Sequence, residues 1–197
     1  MRITGGVLRG RRIDVPSGTV RPTQDRVREA LFSSLAPYIA ETRVLDLYAG
    51  SGALGLEAWS RGAVHVCWVE ADRSVFRVLK KNVDSLCGAG GSDTLCVCLD
   101  VMRFLKQPGS WAGMPYDFIL ADPPYDRHTP HIGLEHIMVA LEAAPSLLAP
   151  DGWLVFEQHD TGEALERQGW ALRKDKRYGE TRLRYYQRLQ AKQENEL

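Results

Sequence analysis

Short apolar runs alternate along this chain with segments in which apolar residues recur every three or four positions. The runs Val44 to Leu47, Val64 to Glu70, Thr94 to Leu99, Asp117 to Ala121 and Trp153 to Glu157 read as strands. Their near-continuous apolar character is that of strands covered on both faces. Ala53–Ser60, Arg73 to about Leu86, Val101–Leu105, Leu134–Ala144 and Gly162–Gln168 read as the intervening helices. A further helix precedes them, with Val27, Ala30, Leu31 and Leu35 at helical spacing. Thr23 is its expected N-cap, Asp25 sits in the first turn and Pro37 ends it. Residues 2–15, punctuated by Gly5-Gly6 and Gly10, read as a short hairpin; Ala171–Tyr178 and Arg182–Leu189, joined by Gly179-Glu180, read as another. Strand–helix alternation predicts an α/β fold, a mostly parallel sheet with an antiparallel terminal hairpin. The expected division is a basic N-terminal hairpin extension (1–20), one domain (21–189) and a disordered tail (190–197).

Composition narrows this little. A chain of 197 residues with 44% apolar and 25% charged residues fits one ordinary globular domain. No apolar run approaches the roughly 20 residues of a membrane helix, and Met1-Arg2-Ile3-Thr4 carries no apolar signal region. A cytoplasmic protein without a membrane partner is expected. Cys67, Cys87, Cys96 and Cys98 form no CxxC pair. Cys67, Cys96 and Cys98 fall in runs that read as buried strands, so they are expected as core thiols of a reducing compartment, and no metal site is assigned. Charge is more informative. The net charge is zero, yet residues 1–30 hold seven Arg against three acids, and residues 173–188 hold seven Lys and Arg against two. Brought together, the two ends would form one cationic face suited to a polyanion.

The first strand leads into Gly50-Ser51-Gly52-Ala53-Leu54-Gly55, a G-x-G-x-x-G loop opening a helix, with Glu70 20 residues beyond Gly50. A dinucleotide fold predicts the same spacing. Asp46, four residues before Gly50, separates the two readings. A carboxylate there would repel a pyrophosphate and attract the sulfonium and amino group of S-adenosylmethionine. The loop also lacks a basic residue.

The fourth strand runs into Asp122-Pro123-Pro124-Tyr125. Two prolines remove two backbone donors and leave carbonyls at the carboxyl end of a central strand, where open α/β sheets bind ligands. An exocyclic amine of a nucleobase is a poor nucleophile, because its lone pair is delocalised into the ring. If Asp122 and the Pro123 carbonyl accept its two N–H bonds, the nitrogen can pyramidalise toward a methyl donor. Tyr125 can stack on the base, worth roughly 1–3 kcal/mol. The target base must be unpaired or flipped to reach it. His128 and His131 follow in sequence but read as exposed loop residues, since the transfer needs no base beforehand.

Asp122-Pro123-Pro124-Tyr125 resembles the [DN]-P-P-[YF] motif of amino-group methyltransferases. Together, Arg2 to Gly6, Arg9-Gly10-Arg11, Arg21-Pro22-Thr23 through Phe32, and Asp46 to Ala58 resemble the RsmD family, bacterial 16S ribosomal RNA guanine-N2 methyltransferases, over about residues 2–188. The resemblance implies a seven-stranded class I methyltransferase that uses S-adenosylmethionine and releases S-adenosylhomocysteine. Its implied substrate is one guanine of 16S rRNA in assembled or assembling 30S particles. Carried over by position, Asp46, Gly50 and Gly52 line the donor pocket, Glu70 binds the ribose and Asp100 lies beside the adenine. Tyr48, Ser51, Ala71 and Val101 join that cofactor set, and Arg21, Pro22 and Thr23 close over the methionine end of the donor. Asp122 to Tyr125 hold the guanine, while Arg9, Arg11, Arg12 and Arg26 are the expected phosphate contacts. A monomer is expected. The Gly88–Gly91 turn and the loop with Trp111 depart from the family pattern. The residues alone also admit a DNA adenine-N6 methyltransferase, a protein-glutamine methyltransferase, a NAD-dependent oxidoreductase or a silent RNA-binding module. No room for a DNA target-recognition domain, Asp rather than Asn at 122, Asp46 with the two prolines, and intact donor and acceptor motifs weigh against these in turn.

Overall fold

The computed structural model describes residues 1–16, 22–89, 92–107, 114–124, 132–160 and 163–189, without the side chains of residues 22–24. The elements run α1 (Pro22–Leu35), β1 (Arg43–Leu47), α2 (Ala53–Ser60), β2 (His65–Glu70), α3 (Arg73–Cys87), β3 (Thr94–Cys98), α4 (Val101–Leu105), β4 (Tyr116–Ala121), α5 (Ile132–Ala143), β5 (Leu148–His159), β6 (Trp170–Tyr178) and β7 (Thr181–Arg188). The seven strands form one sheet in the order β3-β2-β1-β4-β5-β7-β6. β1 to β5 are mutually parallel, and β7 pairs antiparallel with both β5 and β6. Each crossover from one parallel strand to the next needs a helix-length connection, which the apolar helices supply.

The sheet separates two cores. α4 and α5 pack on one face, where Val101, Phe104, Leu134, Ile137 and Leu141 meet Leu45, Leu47, Ile119 and Phe156. On the other face, α1, α2, α3 and the N-terminal segment bring Ile3, Ile13, Val27, Phe32, Leu56 and Leu79 against Trp68, Phe118, Leu120 and Tyr185. Residues of alternate parity along each strand face opposite cores, as the pleat requires.

Several expectations are corrected here. α1 begins at Pro22, so Thr23 lies within the first turn rather than capping it; proline fits a first helical position, where its missing N–H would have no partner. Residues 163–168 form no helix. Leu165 packs on the core and Arg167 pairs with Glu142 instead. β3 is the sheet edge, so Cys96 is half-buried and Cys98 exposed, and only Cys67 is a core thiol. The N-terminal segment doubles back as expected, but it forms a single antiparallel bridge, Arg2 with Arg12, rather than two strands.

That segment is fixed by one carboxylate. Glu57 on α2 is fully buried and accepts hydrogen bonds from Thr4 N (2.9 Å), Thr4 Oγ1 (2.5 Å) and Gly5 N (2.9 Å). Arg61 Nη2 at 2.9 Å and Arg28 Nε at 3.5 Å complete its charge balance. Arg28 also donates to the Arg2 carbonyl at 2.6 Å. Ser60 donates to the Gly5 carbonyl and accepts from Leu8 N. A Cβ on residue 6, where φ is +75°, would stand 1.7 Å from the Ser60 carbonyl oxygen, so only glycine allows this approach.

Glu57→Gln should destabilise the fold by about 3–5 kcal/mol, because it removes the buried charge that Thr4, Gly5, Arg61 and Arg28 all engage and leaves Arg28 only the half-exposed Asp25. In a thermal melt this is a fall of roughly 10 °C in Tm, with earlier proteolytic release of the N-terminal segment. A Tm unchanged from wild type would mean that Glu57 does not hold the segment.

Candidate active site

The strand register brings the predicted residues into rows. Leu47 lies beside Val69 and Ala121, and Ala121 beside Phe156. Tyr48, Glu70, Asp122 and Glu157 therefore stand level, at or near the carboxyl ends of β1, β2, β4 and β5. Asp46 lies two residues before that row, in register with Trp68 and Leu120. By alternation, Asp46, Glu70, Asp122 and Glu157 all project to the face covered by α1, α2 and α3. Glu157 had no place in the sequence-based site, although an acid ending an otherwise apolar strand is a visible signal.

The turn from β1 into α2 is tight. Tyr48 adopts φ 59°, rare for a residue with a side chain, and is followed by Gly50 at φ 55° and Gly52 at φ 86°. Gly50 N donates to Glu70 Oε2 at 2.9 Å, and a Cβ on residue 50 would meet nothing nearer than 4.0 Å. The loop is therefore open at Gly50. Gly55 has a different reason: a Cβ there would stand 2.1 Å from Trp68 Nε1, so this glycine lets α2 lie against β2. Ser51, nearly buried, offers its carbonyl to Asn82 Nδ2 at 2.9 Å.

Asp46 is 1% exposed. Its Oδ2 accepts from Gly55 N at 2.8 Å, while Oδ1 has no hydrogen-bond partner among the described residues. Burial, with a smaller contribution from the nearby Glu70, pushes its pKa up to about 8, against the Gly55 N–H. Asp122 keeps some accessible surface, yet surrounding atoms and then the charges of Glu157 and Asp46 hold its carboxyl well above the usual carboxylate range. Asp46 and Asp122 repel each other, and neither is in an ion pair among the described residues. An orphaned buried carboxylate oxygen beside an open glycine loop fits a positively charged ligand and disfavours a pyrophosphate.

The remaining candidates are distributed around this centre. Glu70 also accepts from Asp72 N at 2.8 Å. Asp100 caps α4 through Arg103 N at 3.0 Å and lies near Tyr48, whose phenol pKa is raised by burial first and by Asp100 second. Val101 is buried and Ala71 exposed. Pro123 is half-buried and Pro124 exposed. Arg21, Tyr125, His128, His131, Gly90, Gly91, Trp111 and the tail 190–197 lie outside the described residues, as do the side chains of Pro22 and Thr23.

The two basic ends meet different fates. Ile3 and Ile13 share a core with Leu183 and Tyr185, so both ends reach the same face of the sheet. On the terminal hairpin, however, Arg182 pairs with Asp160 and Asp175, Arg177 with Asp160, and Arg184 with Asp175. Arg188 donates to the carbonyls of Leu141 and Pro145. Arg9, Arg11, Arg12 and Arg26 are exposed, and no ion pair engages them among the described residues.

The family described as Conserved hypothetical protein 95, the RsmD family, matches residues 1–187. The chain belongs to this family. Ribosomal RNA small subunit methyltransferase D of Escherichia coli (strain K12) is 40% identical over 196 residues, covering 95% of this chain and 90% of the relative. The protein of the same name from Haemophilus influenzae is 35% identical over 189 residues, covering 95% and 93%. The solved structure of yhhF from Escherichia coli superposes with a TM-score of 0.80 at 40% identity, over 95% of this chain and 97% of that one. The sheet with its antiparallel end is thus the class I methyltransferase fold of the RsmD family, and the chain is an S-adenosylmethionine-dependent methyltransferase.

Donor binding should depend on pH. In the ligand-free protein Asp46 keeps its proton to about pH 8, whereas the unfolded chain releases it near 3.8. The stability gained by burying the neutral form is complete below pH 3.8 and is lost as pH rises to about 8. A bound cation favours the ionised form, so binding releases a proton below pH 8. Titration calorimetry with S-adenosylmethionine should show Kd falling by up to about tenfold per pH unit from pH 6 toward 8, then levelling. Asp46→Asn should flatten the profile. A wild-type Kd constant over that range would exclude a cation-binding role for Asp46.

Proposed function

We propose that this protein transfers a methyl group from S-adenosylmethionine to the N2 amine of one guanine in 16S rRNA, within assembled or assembling 30S particles. The observation that carries the chemistry is the row at the carboxyl ends of β1, β2, β4 and β5. There an open glycine loop, an orphaned buried carboxylate and Asp122-Pro123-Pro124 meet. The names of the relatives support ribosomal RNA of the small subunit as substrate. The choice of N2 of guanine follows the family resemblance, since an adenine or cytosine amine has the same acceptor requirements.

In this reading, Asp46 and Glu70 hold the cationic and ribose parts of the donor. Gly50, Gly52, Ser51 and Tyr48 form the turn beneath it, and Asp100, Val101 and Ala71 border the adenine. Arg21, Pro22 and Thr23 cover the methionine end. When bound, S-adenosylmethionine supplies an electrophilic methyl on a sulfonium. Asp122 and the Pro123 carbonyl accept the two N–H bonds of the amine, with Pro124 stiffening the turn and Tyr125 stacking on the base. With the methyl passed from that sulfonium, which would leave as the neutral thioether, Asp122 or water would take the excess proton from the nitrogen. The raised proton affinity of Asp122 suits it to receive that proton. Residues 1–20 serve as an RNA-contacting extension through Arg9, Arg11 and Arg12, with Arg26 beside it, residues 21–189 form the catalytic domain, and the protein acts as a monomer in the cytoplasm.

Labelled donor should methylate 30S particles lacking the modification, in preference to 50S subunits, DNA or protein, and nucleoside analysis should recover N2-methylguanosine. Label confined to DNA or protein would overturn the reading. Asp122→Ala should lower turnover by about 10²–10³-fold or more while leaving donor Kd nearly unchanged. Equal losses of binding and turnover would remove Asp122 from its acceptor role. Reversing charge at Arg9 and Arg11 should weaken RNA binding and flatten its salt dependence; an unchanged slope would count against the extension.

A further inference from the structure

The sequence divides into basic ends and an acidic middle, and the structure redraws that division. Beyond those four arginines, two more exposed ones, Arg73 and Arg77 on α3, have no ion-pair partner among the described residues. They stand one helical turn apart, where like charges cost rather than gain stability. Other arginines among the described residues are in ion pairs: Arg61 and Arg28 with Glu57, Arg167 with Glu142, and Arg177, Arg182 and Arg184 on the hairpin. The unengaged ones lie on the N-terminal segment, α1 and α3, which all cover the same face of the sheet. Arg103, on α4 over the opposite face, and Arg173, on β6 where it donates to the neutral Gln187, are the exceptions among the described residues.

α3 and the N-terminal segment are also locked together. Lys81 Nζ lies 2.7 Å from Asp14 Oδ2. Asn82, 3% exposed, accepts from Asp14 N at 3.0 Å and donates to the Asp14 carbonyl at 2.8 Å, as well as to Ser51 in the glycine loop. The segment therefore cannot swing away from α3 without breaking buried hydrogen bonds. From Lys81 the exposed positions Arg77 and Arg73 lead back along the helix, about 12 Å at 1.5 Å per residue. They end three residues beyond Glu70, at the carboxyl end of β2. Neighbouring strands lie about 4.8 Å apart, so this end stands roughly two strand spacings from Asp122 on β4.

We infer that α3 and the N-terminal segment form one rigid phosphate-binding surface, in which Arg73 and Arg77 carry the RNA backbone from the extension to the mouth of the active site. This rests on the RNA substrate proposed above. Both guanidinium groups engage phosphates, so they position the RNA without reading its sequence.

The test uses the full chain and 30S particles lacking the modification. In Arg73→Gln/Arg77→Gln, two phosphate contacts are removed without reversing charge. The slope of log K against log salt should become shallower by about 1.5, and affinity at low salt should drop at least tenfold. Donor Kd and Tm should match wild type, since both side chains are exposed and unpaired. Arg103→Gln/Lys106→Gln removes the same charge from α4 and should leave the slope unchanged. The inference is overturned if the α3 variant keeps the wild-type slope, or if the α4 variant loses as much as the α3 variant, which would reduce the effect to net charge. If wild-type protein shows no salt-dependent binding and no transfer to 30S particles, the RNA reading itself falls, and the inference with it. A wild-type slope that responds to Arg9 and Arg11 but not to Arg73 and Arg77 overturns the α3 surface alone.

Discussion

The position of α2 is set by two buried carboxylates, Asp46 reaching it from the sheet and Glu57 reaching out from it. Asp46 takes the Gly55 N–H, and two residues later Glu57 takes Thr4, Gly5, Arg28 and Arg61. The helix has eight residues, roughly 12 Å, so its two anchors cannot move independently. At its start lies the glycine loop that the donor would meet; on its buried side lies the N-terminal segment. Trp68 closes the third side, since it fills the space that any side chain at position 55 would need. A loop that holds Tyr48 at φ 59°, costly for a residue with a Cβ, needs such a frame, whereas Gly50 and Gly52 adopt their positive φ without that cost.

The same frame concentrates negative charge where folding alone would avoid it. A carboxylate 1% exposed with one oxygen unpartnered opposes folding when ionised, and Asp122 and Glu157 nearby add to the repulsion. The opposing cost is tolerable only if it is removed when the protein works. A cationic donor removes it, whereas its neutral thioether product removes less of it. The acids thus favour binding before transfer and release after it, by charge difference rather than by shape.

Much of this was legible from spacing. The five parallel strands, the glycine loop and the terminal hairpin all follow from local periodicity, which is set by neighbours within one element. Asp46, Glu70 and Asp122 were legible because an acid in or just after an apolar strand opposes folding unless a ligand or a partner group engages it. What failed depended on partners far along the chain. Glu57 drew no reading from the sequence, and Thr4, Gly5 and Arg28 show why a charge is buried there. The basic run 173–188 looked like a cationic surface, but cross-strand register sets Arg184 against Asp175, and a hydrogen bond ties Arg182 to Asp160. Cys98 looked buried because its run is apolar, and the strand order makes it an edge.

This difference between charge present and charge available bears on how a neutral protein recognises a polyanion. An arginine already bonded to a carboxylate presents a dipole, whose field falls off faster than that of a free charge and gives up little when salt screens it. Of the two basic ends, the N-terminal one keeps most of the guanidinium groups that are outside ion pairs among the described residues, and they stand on the face that carries α1 and α3, while on the hairpin Arg173 donates to the neutral Gln187. The hairpin arginines instead knit β6 to β7 and to the loop after β5. The same residue type thus stabilises the sheet at one end and stays available at the other. The deciding factor is whether strand register supplies an acid, and the N-terminal segment, with one bridge and no neighbouring acidic strand, supplies none to Arg9, Arg11 or Arg12.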